Sequence, residues 1–424
     1  MAGEWPQQPL EEVAELSGGF AFKSEDYSPH GRFVLRTLNI KDDGSIHRDD
    51  AVFLPLEKCD LYKRFELQEH DTLFVMVGAT LGKVGYVRRD TLPALLNQNM
   101  WRIRGRDGLC DKRYLQYAFR HTVAKNLGWA SGSARDFVRR DDYRTMEIPV
   151  PPLADQKAIA AVIGALDDKI ELNRRMSATM ETMARALFQS WFVDFGPVRA
   201  KLDGRKPAGL DDATAALFPQ HLEDSPLGHI PIGWELATVG DIGNVICGKT
   251  PPTSVADNYG EDVPFITIPD MHGNVFGAAT ARKLSHAGAS SQSNKTLPAG
   301  SLCVSCIATP GLVVITTEDS QTNQQINSVV PHQKEETYFW YWVMTGLGAE
   351  IAASGSGGSV LVNLSKGRFE KLQVIKPPHA LIRAYHTTVC PMFEAILSNT
   401  RESRTLATLR DALLPKLLTG AIKL

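Results

Sequence analysis

The sequence predicts an α/β (α+β) protein made of two pseudo-repeated mixed domains, the copies separated by a long antiparallel two-helix coiled coil. Three observations carry this. Residue patterns recur at a fixed offset of 226, short β-rich runs alternate with Gly, Pro and Asp punctuation inside each copy, and each copy ends on a Pro-Pro pair followed by about forty residues of heptad spacing.

The offset organises everything else. Asn97-Gln98 returns as Asn323-Gln324, Gly132-Ser133 as Gly358-Ser359, Pro151-Pro152 as Pro377-Pro378, Asn173 as Asn399 and Leu187 as Leu413. Near the start, Trp5 pairs with Trp234 and Gly19 with Gly248 at 229, which implies a small deletion in the first copy. The resulting boundaries are 1–152 for the first domain, 153–195 for a central long helix, 196–233 for a linker, 234–378 for the second domain and 379–424 for a C-terminal long helix.

Within the domains, strands are expected at 72–77, 84–87, 302–307 and 313–317, and helices at 112–126 and 337–344. In the central helix, apolar residues step by 4 and 3 through Ile159, Ile163, Leu166 and Ile170, pass Asn173, and resume at Met176, Met180, Met183 and Leu187. The C-terminal helix runs Ile382, Tyr385, Val389, Met392, Ile396, Asn399, Ser403, Leu406, Arg410 and Leu413, with a kink expected at Pro391. Forty residues at about 1.5 Å rise make a rod of roughly 60 Å, and the simplest cover for each rod is the other. Asn173 and Asn399 are expected to set the register and, in an antiparallel pair, to face each other. The segment 196–233 is rich in Pro, Gly and charge and reads as a linker with one short helix near 211–217.

Composition excludes several classes. The chain has 424 residues, 43% hydrophobic, with 46 Lys+Arg against 48 Asp+Glu, which suits a folded chain of two or three domains rather than a disordered one. No apolar run approaches the roughly 18 residues of a membrane span, and the N-terminus lacks a basic-then-apolar leader, so a cytoplasmic location is expected. Six scattered cysteines read as reduced thiols. The near-zero net charge hides a shift along the chain: residues 1–82 carry 8 Lys/Arg against 15 Asp/Glu, and residues 83–144 carry 14 against 6.

Catalytic motifs are tempting and weak. Gly243 to Thr250 fits G-x4-G-K-[ST], yet Pro251-Pro252 removes the amide donors a phosphate-binding helix start needs, and no acidic strand partner for Mg²⁺ is evident. Cys303 and Cys306 lie three apart in an apparent strand, where they point to opposite faces and read as core residues. The histidines form no metal-binding spacing, so no metal and no cofactor are expected, and no residue is assigned as catalytic. The Pro-Pro pairs follow Val, Thr and Lys and do not make an amino-methyltransferase tetrapeptide. Two similar domains on a long spacer suit a ligand that is itself a linear lattice, of which DNA is the commonest.

The chain resembles the specificity subunits of type I restriction-modification enzymes. The resemblance rests on 148–153 (IPVPPL) with Gln156 and Ile159, the helix end 187–192 (LFQSWF), Gly233-Trp234, 248–251, the Asn-Gln pairs and 409–420 (LRDALLPKLLTG). It implies two target-recognition domains, each reading one half of a split double-stranded DNA sequence, held on conserved antiparallel helices. It further implies partners: two adenine methyltransferase subunits that dock on the chain, and motor-nuclease restriction subunits. The loop at 248–251 then corresponds to 18–23 in the first copy, and the second boundary departs from the pattern by lacking the Gln that follows the first.

For DNA contact, cations give affinity and bidentate side chains give sequence choice. The candidates are Lys23, Arg102, Arg104, Arg135, Arg139 and Arg140 in the first domain, and Lys249, Arg282, Lys283, Lys295, Lys366 and Arg368 in the second. The Asn-Gln pairs could read bases, but residues shared by two domains that read different sequences are better explained as structural. Two other readings stay open at this point: a P-loop nucleotide-binding ATPase on 243–250, and a coiled-coil protein scaffold without DNA binding.

Overall fold

A computed structural model describes residues 4–77, 80–127, 143–307, 309–355 and 364–424. Two compact units emerge: Met1–Ile170 with Thr405–Leu424, and Glu171–Arg404. The return of the last twenty residues to the first unit follows from the helix pairing described below.

In the first unit, an antiparallel sheet orders the strands Ala14–Gly18, Met100–Gly105, Thr72–Val75 and Val84–Tyr86. The side-chain alternation of Met100–Gly105 sends Trp101 and Ile103 to one face, where Phe74 and the helix Lys112–Leu127 close the core through Tyr114, Leu115, Ala118 and Phe119. A second sheet orders Val52–Leu54, Arg32–Leu35 and Ala94–Leu96, the last two parallel. Gln7–Pro9 pairs with Glu147–Pro149 and draws the ends of the domain together.

The second unit repeats the plan. Gly243–Cys247, Ile326–Pro331, Leu302–Ser305 and Val313–Ile315 form the antiparallel sheet, Val263–Ile266 and Gln321–Thr322 supply the parallel pair, and Glu235–Thr238 joins Gln373–Lys376. Even single contacts recur. The Gly19 amide donates to the Met100 carbonyl at 3.2 Å and that of Gly248 to Ile326 at 3.0 Å. A Cβ on Gly19 would stand 2.0 Å from the Asn97 carbonyl oxygen, and one on Gly248 2.1 Å from that of Asn323. These two positions therefore need glycine for close approach rather than for φ.

The long helices are Leu153–Phe188 and His379–Leu418, the latter running through Pro391 without interruption. In the second unit they pair antiparallel: Asn173 Nδ2 donates to Glu402 Oε2 at 2.8 Å and to Ser403 Oγ at 3.4 Å, Asn399 Nδ2 to Ser177 Oγ at 3.3 Å, and Tyr385 Oη to the Ala184 carbonyl at 2.9 Å. In the first unit Arg410 Nη1 meets Asp167 Oδ1 at 2.7 Å, and Ile159 and Ile163 share a core with Leu417 and Leu418. Trp5 Nε1 donates to the Leu417 carbonyl at 2.7 Å, tying the start of the chain to its last helix.

Three expectations need correction. Each central asparagine faces a serine of the opposite helix, one turn away from the other asparagine, and the 226 offset exchanges the two contacts. The seam after Asn173 runs through Ser177, Met180, Ala184 and Leu187, so Met176 and Met183 point outward, 39% and 51% exposed. The segment 196–233 is folded: helices Gly196–Leu202 and Asp212–Ala216 and the hairpin of Leu222–Ser225 with Gly228–Pro231 bring Val198, Phe218 and Ile230 into the second unit's core. That core also covers Phe188, Trp191, Phe192 and Phe195, at a helix end finished by a π turn over Gln189–Val193.

The helix starts are anchored differently. Gln156, buried, accepts from the Asp111 amide at 2.8 Å and donates to the carbonyls of Leu109 and Pro151. At the second boundary, buried Glu336 holds both His379 Nδ1 and Trp340 Nε1 at 2.8 Å. The glutamine missing from the second copy is thus replaced by an acid reaching across from the domain.

The register predicts a contrast between adjacent positions. Met183→Glu should shift stability by less than about 0.5 kcal/mol, whereas Ala184→Glu, placing a carboxylate in a fully buried site, should cost about 3 kcal/mol or more in urea unfolding.

Candidate nucleic-acid interface

The sequence-predicted cations fall into distinct environments. In the first domain Lys23 is exposed and pairs with Glu25 at 3.3 Å. Arg102 and Arg104 are drawn into the domain, Arg102 buried and Arg104 half-buried. Two apart on one strand, they share a face. Arg104 makes a bidentate ion pair with the fully buried Asp71, Nε to Oδ1 at 2.6 Å and Nη2 to Oδ2 at 2.7 Å. This hydrogen bonding raises the Arg104 pKa, while burial lowers that of Arg102, whose Nη1 reaches the carbonyls of Arg64 and Glu66 at 3.4 and 3.3 Å. Arg135, Arg139 and Arg140 lie outside the described residues.

The second domain gathers more of its candidates. Arg282 and Lys283 line a groove of about 380 Å³ with Thr253, Tyr259, Gly260, Glu261, Thr280 and Ala281. Arg282 lies over the Phe265 ring at 5.9 Å, and Lys283 is 3.4 Å from Glu261 Oε2. Tyr259 Oη donates to the Pro251 carbonyl at 2.9 Å, joining this groove to the loop that bears exposed Lys249. Lys295, half-buried, sits on the short turn that follows Gln292, and Gln292 Nε2 donates to the Lys249 carbonyl at 2.8 Å. Lys366 and Arg368 belong to a separate helix, Lys366–Phe369, where Lys366 pairs with Glu370 and Arg368 donates to the Ser354 carbonyl.

The P-loop look-alike has no P-loop geometry. Gly243–Cys247 is an edge strand hydrogen-bonded to Ile326–Pro331, and the residues after Thr250 continue as an extended Pro-Pro segment to a 3₁₀ turn at Ala256–Asn258. No helix N-terminus stands at Lys249, so the physical basis of the nucleotide reading is lost. Cys303 and Cys306 are buried, and burial pushes their thiols up to about 12 and about 11, which keeps them protonated near neutral pH. Among the described residues no helix is long and apolar enough to cross a membrane.

The Asn-Gln pairs divide. Asn97 is buried with Nδ2 3.4 Å from Tyr27 Oη, and Asn323 is tied to Gln325 by two hydrogen bonds, both structural roles. Gln324 is exposed, and Thr250 Oγ1 donates to its Oε1 at 2.7 Å. Sequence reasoning missed this contact because 74 residues separate the partners; the only hint was that both fall in patterns singled out for other reasons.

Two repeated mixed α/β domains, each leading into one of a pair of antiparallel long helices, define a class of duplicated modular proteins. The model of the type I restriction modification DNA specificity domain matches residues 3–182 and 231–380, and the chain belongs to that family. It is 38% identical over 322 residues to the specificity subunit of the type I restriction enzyme HindI of Haemophilus influenzae, spanning 66% of this chain and 70% of that protein. To the MjaIX specificity subunit of Methanocaldococcus jannaschii it is 26% identical over 357 residues, 80% of this chain and 76% of that one. The crystal structure of the S subunit of a type I restriction-modification system from M. genitalium shares the fold, with a TM-score of 0.57 at 16% identity over 98% of this chain and 96% of that chain.

The Asp71 pair supplies a test of whether Arg104 serves the fold or the DNA. Arg104→Met leaves a buried carboxylate without its cation and should destabilise the chain by about 3 kcal/mol in urea unfolding. A simple DNA-contact residue would instead lower duplex affinity and leave the unfolding midpoint unchanged.

Proposed function

We propose that this chain selects the DNA target for a type I restriction-modification complex without catalysing a reaction itself. Its two domains, with the boundaries read from the sequence, each read one half of a split duplex site, and the paired long helices set the gap. Two adenine methyltransferase subunits dock on the chain and supply methyl transfer; motor-nuclease subunits supply cleavage. The observation that carries this reading is duplication with divergence: one strand order occurs twice, while matching positions present different chemistry, Phe20-Ala21 in the first copy against Lys249-Thr250 in the second. A scaffold that ignores nucleic acid would have no need of such unlike loops, one apolar and one polar, on one backbone plan.

Docking finds support on the first long helix. Leu172, Met176, Thr179, Met183 and Ala186 are exposed and recur with spacings of 4 and 3, a second heptad stripe beside the one already paired. Apolar residues in such a row favour an apolar-faced partner helix. The corresponding positions of the second helix, Ser398, Glu402, Thr405, Leu409 and Ala412, are mostly polar, so the two methyltransferase subunits would be held by unequal faces.

The purified chain should transfer no methyl group to DNA, and addition of its methyltransferase subunit should yield adenine methylation within a split site. Methylation by the chain alone would contradict the reading. Met176→Glu with Met183→Glu should weaken co-elution of methyltransferase by about tenfold or more, while the circular dichroism of the chain is retained.

A further inference from the structure

Three carbonyls and one amide of the loop at 249–252 are held by hydrogen bonds. The Lys249 amide donates to the Thr322 carbonyl at 2.9 Å, and the Lys249 carbonyl accepts from Gln292 Nε2 at 2.8 Å. Gln292 is itself buried and bonded to buried Gln321. The Pro251 carbonyl accepts from Tyr259 Oη and the Pro252 carbonyl from Asn258 Nδ2, at 2.9 and 3.0 Å. Gly248 lets this loop settle against Asn323, where any Cβ would collide with backbone.

This turn presents an exposed ammonium and, through Thr250, an exposed side-chain amide. Lys249 is exposed, and among the described residues no carboxylate pairs with it. Thr250 Oγ1 donates to the Oε1 of exposed Gln324, a bond that leaves the Nε2 amide hydrogens uncommitted to Thr250. An ammonium one residue from the hydroxyl that holds this amide complements an anion with several acceptor oxygens.

We propose that Lys249 and Gln324 form a phosphodiester clamp that grips the DNA backbone at the second domain, with Thr250 as the positioning residue. The proposal rests on the DNA-binding reading above. Its ligand is a duplex phosphate, read without regard to sequence. In the first copy Phe20 and Ala21 stand at the positions of Lys249 and Thr250, so neither that cation nor that hydroxyl recurs there. The clamp therefore belongs to one domain only, and the two half-sites are held with different dependence on salt.

The test measures binding of the full chain to a mixed-sequence duplex pool across a salt series, for wild type, Lys249→Ala and Thr250→Val, with melting curves confirming that each variant folds. Lys249→Ala should weaken binding and reduce the slope of log K against log salt by about 0.9, the value for one lost phosphate contact. Thr250→Val changes no charge; it should weaken binding about two- to tenfold, the loss expected when a side chain must be ordered on binding, with the slope unchanged. Wild-type binding that is absent or insensitive to salt would overturn the DNA reading itself. Salt-sensitive wild-type binding with Lys249→Ala unchanged in affinity and slope would overturn the clamp alone. So would a Lys249→Ala loss confined to duplexes carrying one base pair, since that is base readout.

Discussion

The antiparallel pairing of Leu153–Phe188 with His379–Leu418 is the constraint on which the rest of the molecule depends. Because the second helix runs back along the first, Leu417 and Leu418 complete the core of the first unit, and Trp5 is bonded to the Leu417 carbonyl. In the second unit, Tyr385 sits among Phe188, Trp191 and Phe192 with ring centroids 5.3 to 6.3 Å apart. Burial of aromatic side chains is worth roughly 1.5–3 kcal/mol each, so these contacts outweigh the two weak Asn–Ser bonds at the centre. The polar centre contributes register rather than strength. Asn173 can bond Ser403, and Asn399 Ser177, in only one alignment.

Much of this architecture was legible in the sequence, because a 226-residue offset forces two segments into one fold and heptad spacing forces a helix to find a partner. The failures have local causes. Past Asn173 the seam could continue three residues on at Met176 or four at Ser177; hydrophobicity favours Met, but a serine is what the opposing asparagine can bond. Gly and Pro between 196 and 233 mark turns, and turn residues alone do not distinguish a loose linker from a folded hairpin. Phe218, Ile230 and Trp234 were the anchors that decide it.

The candidate site was less legible than the fold. Charge counts locate Arg102 and Arg104 but not the carboxylate that meets one of them, since Asp71, just ahead of the neighbouring strand Thr72–Val75, lies 33 residues earlier than Arg104. Lys249 was found through a nucleotide-binding pattern whose mechanism the structure does not support. What that pattern marks is a glycine needed for close backbone approach, followed by a polar loop held by Gln292, Asn258 and Tyr259. The backbone plan recurs with unlike residues at its loops, and the shared Gly–Asn approach is the part that both copies keep.

If the helices set the gap between two half-sites, their length should be written into the DNA target and nowhere else. Insertion of one heptad into each long helix, at matched positions that preserve the seam, followed by mapping of methylated adenines from the assembled complex, tests this directly. The account predicts the same two half-sequences at a longer gap. An unchanged gap with full methylation, or altered half-sequences, would contradict it.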